Sequence, residues 1–254
     1  MNAKQILVAA LLCLAAGCAA SESQVRSVVQ KNPDIVFEAI ENNPEKFMAT
    51  VQKAAQTAQR SSYEREVATI KEQQEKDVAT PKQPKLSADR RLMGEDKSKI
   101  TIVEYADFQC PACGVAHKEL SRFLDNHAGN VQFYFKNMPL DFHKMALPAA
   151  RYFEAIRLQD RGHAERFFNY VFENQASMEN ESFLKNAASQ AGADLKRLAL
   201  DIKSKQIDKI LDADRDEFSK FGFTGTPVII LNGVAMPGAQ PLTELERVAE
   251  RTKK

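Results

Sequence analysis

The chain has 254 residues, 44% of them hydrophobic, enough for one large domain or for a domain with an appendage, and too apolar to remain disordered. Its 35 Lys and Arg are nearly balanced by 34 Asp and Glu, which excludes a strong overall field for nucleic acid. A partner must therefore be found by shape, apolar surface or chemistry.

The opening stretch "MNAKQILVAALLCLAAGCAASES" has one lysine, an apolar run from Ile6 to Ala16, and then small residues. It reads as a secretory signal over residues 1–17, too short to span a membrane comfortably. Leu14-Ala15-Ala16-Gly17-Cys18 resembles the lipobox of bacterial lipoproteins, although the leucine stands four rather than three residues before the cysteine. The resemblance implies acylation of Cys18; simple cleavage near Ala19 or Ala20 is the alternative. Cys13 leaves with the signal and Cys110 and Cys113 are partners for each other, so acylation would also remove Cys18 as an odd thiol in an oxidising compartment. The expected location is periplasmic, with a lipid anchor to a bacterial membrane.

Residues 22–78 are polar and free of cysteine. Asn32-Pro33-Asp34 and Asn43-Pro44-Glu45 each set an N-cap residue before a proline at the first helical position, followed by an acid suited to the helix dipole. The pattern predicts a short helix from Asp34 to Ile40 and a long one from Pro44 towards Val78. Phe47, Val51, Ala54 and Ala58 form a narrow stripe, resumed by Tyr63, Val67 and Ile70 after a register break. Such a helix has little to bury against within its own chain. With Val36, Phe37, Ile40 and Met48 also apolar, the segment is expected to be an oligomerisation arm, with a solvated spacer as the alternative.

Residues 79–88, "ATPKQPKLSA", carry two prolines and no periodicity and read as a linker. The domain over 89–254 follows. Lys99 to Phe108 and Val131 to Met138 read as buried strands around a helix from Pro111 to His127, giving a parallel pair. From about 144 to 221 the pattern is helical; Thr226 to Gly238 returns to strand with Asn232-Gly233 as a hairpin turn, and a helix closes the chain from Pro241 to about Arg251. The fold class is α/β, a small mixed sheet interrupted by a helical insertion and preceded by the helical arm.

In "ADFQCPACGVAHKEL", Cys110 ends a strand and Pro111 starts a helix, so the first thiol sits where unpaired N–H groups favour a thiolate. Cys113 lies within bridging reach on the first turn. The arrangement suits attack by Cys110 on a substrate disulfide and resolution by Cys113. Haem attachment would need His at position 114, where Gly114 stands. Cys110, Cys113 and His117 lack a second cysteine pair to complete a structural zinc site, although transient copper or zinc capture stays open. A structural disulfide closing so short a loop would constrain the unfolded chain little. His117 reads as a helix-surface residue, and His143 as a helix-start or packing residue.

With "YADFQCPACG", "KNMPLDFHKMALPAARYFEA" and "FGFTGTPVIILNG" in this order, residues 92–248 resemble the DsbA-like thiol-disulfide oxidoreductases of the thioredoxin fold. The resemblance implies that Cys110 is the attacking thiol and Cys113 the buried partner. It implies that Thr226 and Pro227 form the threonine and cis-proline pair beside the disulfide, offering backbone hydrogen bonds to an extended substrate. It also implies that Glu104 is a buried acid exchanging protons with Cys113; Lys136 on the adjoining strand is its expected partner. Many strongly oxidising relatives carry histidine where this chain has Ala112, so a milder oxidant is expected.

The arm is similar to that of ScsC-type proteins and periplasmic disulfide isomerases. These resemblances imply an exported protein thiol-disulfide oxidoreductase that forms or isomerises disulfides and needs no cofactor beyond its dithiol. Its partners would be unfolded or misoxidised exported proteins, a DsbB-like or DsbD-like membrane protein, and further copies of itself. A simple monomeric oxidase and a periplasmic copper- or zinc-binding protein using the same thiols are the alternatives.

Overall fold

A computed structural model describes residues 21–96 and 98–253. The signal over residues 1–17 and the acylation site Cys18 lie outside the described residues. The chain divides into two compact units, residues 1–65 and 66–254.

In the first unit, α1 (Glu22–Lys31) and α2 (Asp34–Glu41) precede the start of α3 (Pro44–Ala79). α1 is a helix beyond the two expected in this segment, and its start is fixed by a reciprocal capping box: the Ser21 hydroxyl accepts from the Gln24 N–H, and the Gln24 side chain accepts from the Ser21 N–H at 2.9 Å. Asn32 is a correction, because it closes α1 and Pro33 takes the place before α2, whereas Asn43 stands before Pro44 as expected and its carbonyl accepts from Phe47 N–H at 3.0 Å. The side-chain amides of both asparagines donate to Val28 O (3.1 Å) and Ala39 O (3.0 Å), the last carbonyls of the preceding helices, and α2 begins without a side-chain cap. No described residue of this unit is buried, and Val25, Phe37 (60% exposed), Met48 (62%) and Tyr63 present apolar surface to solvent.

The second unit is built on a five-stranded sheet in the order β1 (Arg91–Met93), β3 (Val131–Asn137), β2 (Ile100–Ala106), β4 (Val228–Leu231), β5 (Val234–Pro237). As expected, β2 and β3 are parallel and joined by α4 (Pro111–Asn126), while the other pairings are antiparallel. The insertion comprises α5 (Ala146–Arg157), α6 (Arg161–Glu173), α7 (Glu181–Ala191), α8 (Leu195–Asp201) and α9 (Lys205–Lys220), and α10 (Leu242–Arg251) closes the chain. Asn232 and Gly233 make the β4–β5 turn with φ of 48° and 89°. Gly233 is required twice, since a Cβ there would also fall 2.4 Å from the Pro81 Cβ.

Period-two alternation gives the sheet two different faces. Ile102, Phe133, Phe135 and Ile229 join α4, α10 and the insertion in the main core, whose centre is a set of phenylalanines. Phe168 lies 4.9 Å from Phe135 and 5.1 Å from Phe172, and each ring so buried contributes about 1.5–3 kcal/mol. Val103, Tyr105, Tyr134 and Ile230 face the smaller cluster with Phe218 of α9.

The last turns of α3 protect an edge. β5 is an outer strand, and its Ala235 N–H donates to the buried Asp77 carboxylate of α3 at 3.0 Å, while Pro237 has no N–H to offer. The stretch after α3 follows the sheet: Lys82 N–H donates to Gly233 O at 2.8 Å and Lys85 N–H to the Glu217 carboxylate at 2.6 Å.

Lys136 is a second correction. In the parallel register it stands beside Tyr105, and Glu104 beside Phe135, so the Glu104 and Lys136 side chains leave opposite faces of the sheet. The Lys136 ammonium instead pairs with Glu217 of α9, which also accepts from the Tyr105 hydroxyl.

Candidate active site

β2 ends at Ala106 and α4 starts at Pro111, so the intervening loop delivers Cys110 as the residue preceding the helix, with extended backbone at φ −72° and ψ 121°. The missing N–H of Pro111 costs nothing at the first helical position. Cys110 O accepts from Cys113 N–H at 3.0 Å and Gly114 N–H at 3.2 Å, closing the first turn with both sulfurs on one side. Both thiols are free; Cys110 is 8% exposed and Cys113 fully covered.

The two sulfurs differ in acidity. The Cys113 thiol, the nearby Thr226 side chain and the N–H groups of Cys113 and Ala112 favour charge on the sulfur, outweigh partial desolvation and draw Cys110 down to about 5. Burial, followed by the bond to Cys110, pushes the Cys113 thiol far up. The result is a thiolate at Cys110 beside a thiol at Cys113 at neutral pH. Ala112 contributes through its backbone N–H rather than through a side chain.

Across from the pair, the Cys110 thiol faces Thr226 O at 3.6 Å, and the Thr226–Pro227 peptide is cis. The Thr226 hydroxyl is buried without a hydrogen-bond partner. A cleft lined by Phe223, Gly225, Thr226, Pro227 and Gly238 opens alongside. Glu104 lies on the main-core face of β2, fully covered, and neither carboxylate oxygen has a partner; burial raises its pKa to about 8. Its charge also acts to raise Cys113, so the two groups feel each other.

Three further groups were not singled out by sequence reasoning. Asp107, 1% exposed, accepts from Gln109 N–H (2.7 Å), Leu140 N–H (3.0 Å) and His143 Nδ1 (2.7 Å). Gln175, from the insertion, donates to Phe108 O (2.9 Å) and Cys110 O (2.8 Å) and buttresses the loop. Gln109 accepts from Met145 N–H at 2.6 Å. His117 is a correction: it is 4% exposed and stacked on Phe172 at 4.9 Å, and burial lowers its pKa to about 4. Its ring therefore packs into the aromatic core as a neutral group. Among the described residues no set of three or more His, Cys, Asp or Glu is placed to hold a metal ion.

A family model described as thioredoxin matches residues 85–251. A probable disulfide bond formation protein D of Bacillus cereus is 29% identical over 157 residues, covering 57% of this chain and 70% of that protein. The oxidised structure of BdbD from Bacillus subtilis superposes with a TM-score of 0.60 at 22% identity, over 68% of this chain and 96% of that one. A Na(+)/H(+) antiporter, NhaA 1 of Mycolicibacterium vanbaalenii, is 26% identical over 163 residues, which is 63% of this chain but 26% of the antiporter, and its transport is not carried over. No described helix is long and apolar enough to cross a membrane. The resemblance to DsbA-like proteins, and the α/β thioredoxin fold it implied, are borne out.

Proposed function

This chain belongs to the thioredoxin family, and from that premise we propose that it is an exported protein thiol-disulfide oxidoreductase working through Cys110 and Cys113. The observation that carries the reading is the split dithiol beside Thr226 and cis-Pro227. Cys110 thiolate attacks one sulfur of a substrate disulfide and releases the other as a thiolate. Cys113, once deprotonated, attacks the Cys110 sulfur and frees the reduced substrate; the reverse sequence oxidises a dithiol substrate. Two electrons move between the pairs, and the dithiol is the redox group, with no cofactor. Glu104 is the group we assign to exchange a proton with Cys113. Pro227 and Thr226 shape the cleft that receives the extended substrate.

Partners of this chemistry are unfolded or misoxidised exported proteins and a membrane redox protein, DsbB-like or DsbD-like, that resets the pair. Export and lipid attachment at Cys18 rest on the apolar run and the lipobox-like residues. The reading is tested by refolding of reduced and of scrambled ribonuclease with catalytic amounts of the protein. Acceleration of either supports it, and no acceleration of both contradicts it.

The exposed apolar residues of α1, α2 and early α3 support homo-oligomerisation through the arm. Deleting residues 22–65 is expected to convert an oligomer into a monomer by light scattering, with less isomerase and more oxidase character. The cut stops at residue 65 because Asp77, Gln74 and Glu75 bind Ala235, Arg247 and Arg251 within the second unit. An unchanged number of chains per particle would mean that the arm is a spacer.

A further inference from the structure

Asp107 links the reactive pair to the segment after β3. Its backbone O accepts from Cys110 N–H at 3.1 Å, and its backbone N–H donates to Cys113 Sγ at 3.5 Å. One carboxylate oxygen accepts from Gln109 N–H; the other accepts from Leu140 N–H and faces His143 Nδ1. A carboxylate only accepts, so Nδ1 carries the proton in this contact and donates it. The same segment is fastened at both ends, by Met138 N–H on Ala106 O (2.9 Å) and Met145 N–H on the Gln109 side chain (2.6 Å). His143 is 17% exposed at its side chain and rests edge-on against the solvent-facing Phe142 ring. It is the only side chain among the described residues that meets the Asp107 carboxylate, whose other contacts are backbone N–H groups.

We infer that His143 is a positioning residue for disulfide exchange: through Asp107 it holds a backbone N–H on the Cys113 sulfur, and so governs the step in which that sulfur attacks or departs. The inference rests on the exchange reading above. Charge resides on Cys113 in both directions of the reaction, as nucleophile when Cys110 is in a mixed disulfide and as leaving group when a substrate thiolate opens the Cys110–Cys113 bond. Burial and the bond to Cys110 hold that sulfur in its thiol form, and the Asp107 N–H is the foremost group acting the other way. Without His143, the Asp107 carboxylate would be left buried with an unfilled acceptor position and would turn towards other donors. The N–H of the same residue would then lose its aim.

Oxidised glutathione separates the two steps. Reduced protein first forms a Cys110–glutathione disulfide and releases one glutathione thiolate; Cys113 then attacks Cys110 and releases the second. Rapid mixing, acid quenching and mass measurement follow both. A hydrogen bond to a thiolate changes its population about tenfold, and lower nucleophilicity returns roughly the square root of that. His143→Leu is therefore expected to slow the second step about threefold and leave the first within about twofold, in a variant whose circular dichroism matches that of the wild type. His143→Asn, whose Nδ2 can stand where Nδ1 does, is expected to restore the second step. An unchanged second step in His143→Leu, equal slowing of both steps, or failure of His143→Asn to restore it would overturn the inference. A wild-type protein that neither acquires glutathione at Cys110 nor closes the Cys110–Cys113 disulfide would overturn the exchange reading and the inference with it.

Discussion

Cys110→Ser is expected to reduce disulfide exchange to the uncatalysed background, whereas Cys113→Ser is expected to keep the first attack and accumulate a Cys110-linked mixed disulfide. A serine hydroxyl is not ionised at neutral pH and cannot take the place of a thiolate titrating at about 5. Such a thiolate is about thirtyfold more populated at pH 7 than that of an ordinary thiol. Its intrinsic nucleophilicity falls over the same interval by a comparable factor, so attack gains little. The gain is in departure, because a stabilised Cys110 thiolate is a good leaving group when a substrate thiol attacks the mixed disulfide. Scrambled ribonuclease reactivation, with mass analysis of acid-quenched adducts, reads both variants. Residual catalysis by Cys110→Ser, or equal adduct lifetimes in Cys113→Ser and wild type, would contradict the assignment of the two roles.

Glu104→Leu is expected to stabilise the folded protein by about 4 kcal/mol at pH 8 while slowing turnover, a trade of stability for proton transfer. The carboxyl is fully covered and unpartnered, and its pKa is raised to about 8. An unfolded chain ionises the same group in the ordinary carboxylate range. Between that range and pH 8 the folded state holds a proton that the unfolded state has lost, so wild-type stability falls as pH rises through this window and levels off above it. The gain from Glu104→Leu should accordingly be small near pH 4, grow through the window and be complete above pH 8. Urea unfolding of both reduced proteins across this range measures it. The opposite pH dependence contributed by Cys110 is common to both and cancels in the difference. A gain that does not vary with pH would mean that Glu104 ionises normally in the folded chain.

The elements that were legible in the sequence are those with strong local signals. β-branched and aromatic residues marked β2 and β3, Asn232-Gly233 marked the hairpin, and Cys110-Pro111 marked the start of α4, with Cys113 on its first turn. Thr226-Pro227 was found through resemblance, since nothing local distinguishes a cis X-Pro bond. The misses have physical causes. His117 falls on a helix face that looks polar until the Phe168 and Phe172 rings of the insertion pack over it. Glu104 and Lys136 appear as neighbours on adjoining strands, but a one-residue offset in register sends them to opposite faces. Asp107, Gln175 and His143 meet around the dithiol from three separate segments, so no local spacing announces them. Asn32 closes the helix before it because the two-residue gap leaves Pro33, not Asn32, next to α2; Asn43, in the gap that follows, precedes α3 as expected.

The most direct test of the account is alkylation of the reduced protein with iodoacetamide as a function of pH, with the modified cysteine identified by mass. The account predicts that of the Cys110 and Cys113 pair Cys110 alone reacts, at a rate that follows a titration with its midpoint near 5, and that Cys113 stays unmodified throughout the neutral range. A midpoint in the ordinary thiol range, or modification of Cys113 alongside Cys110, would contradict it.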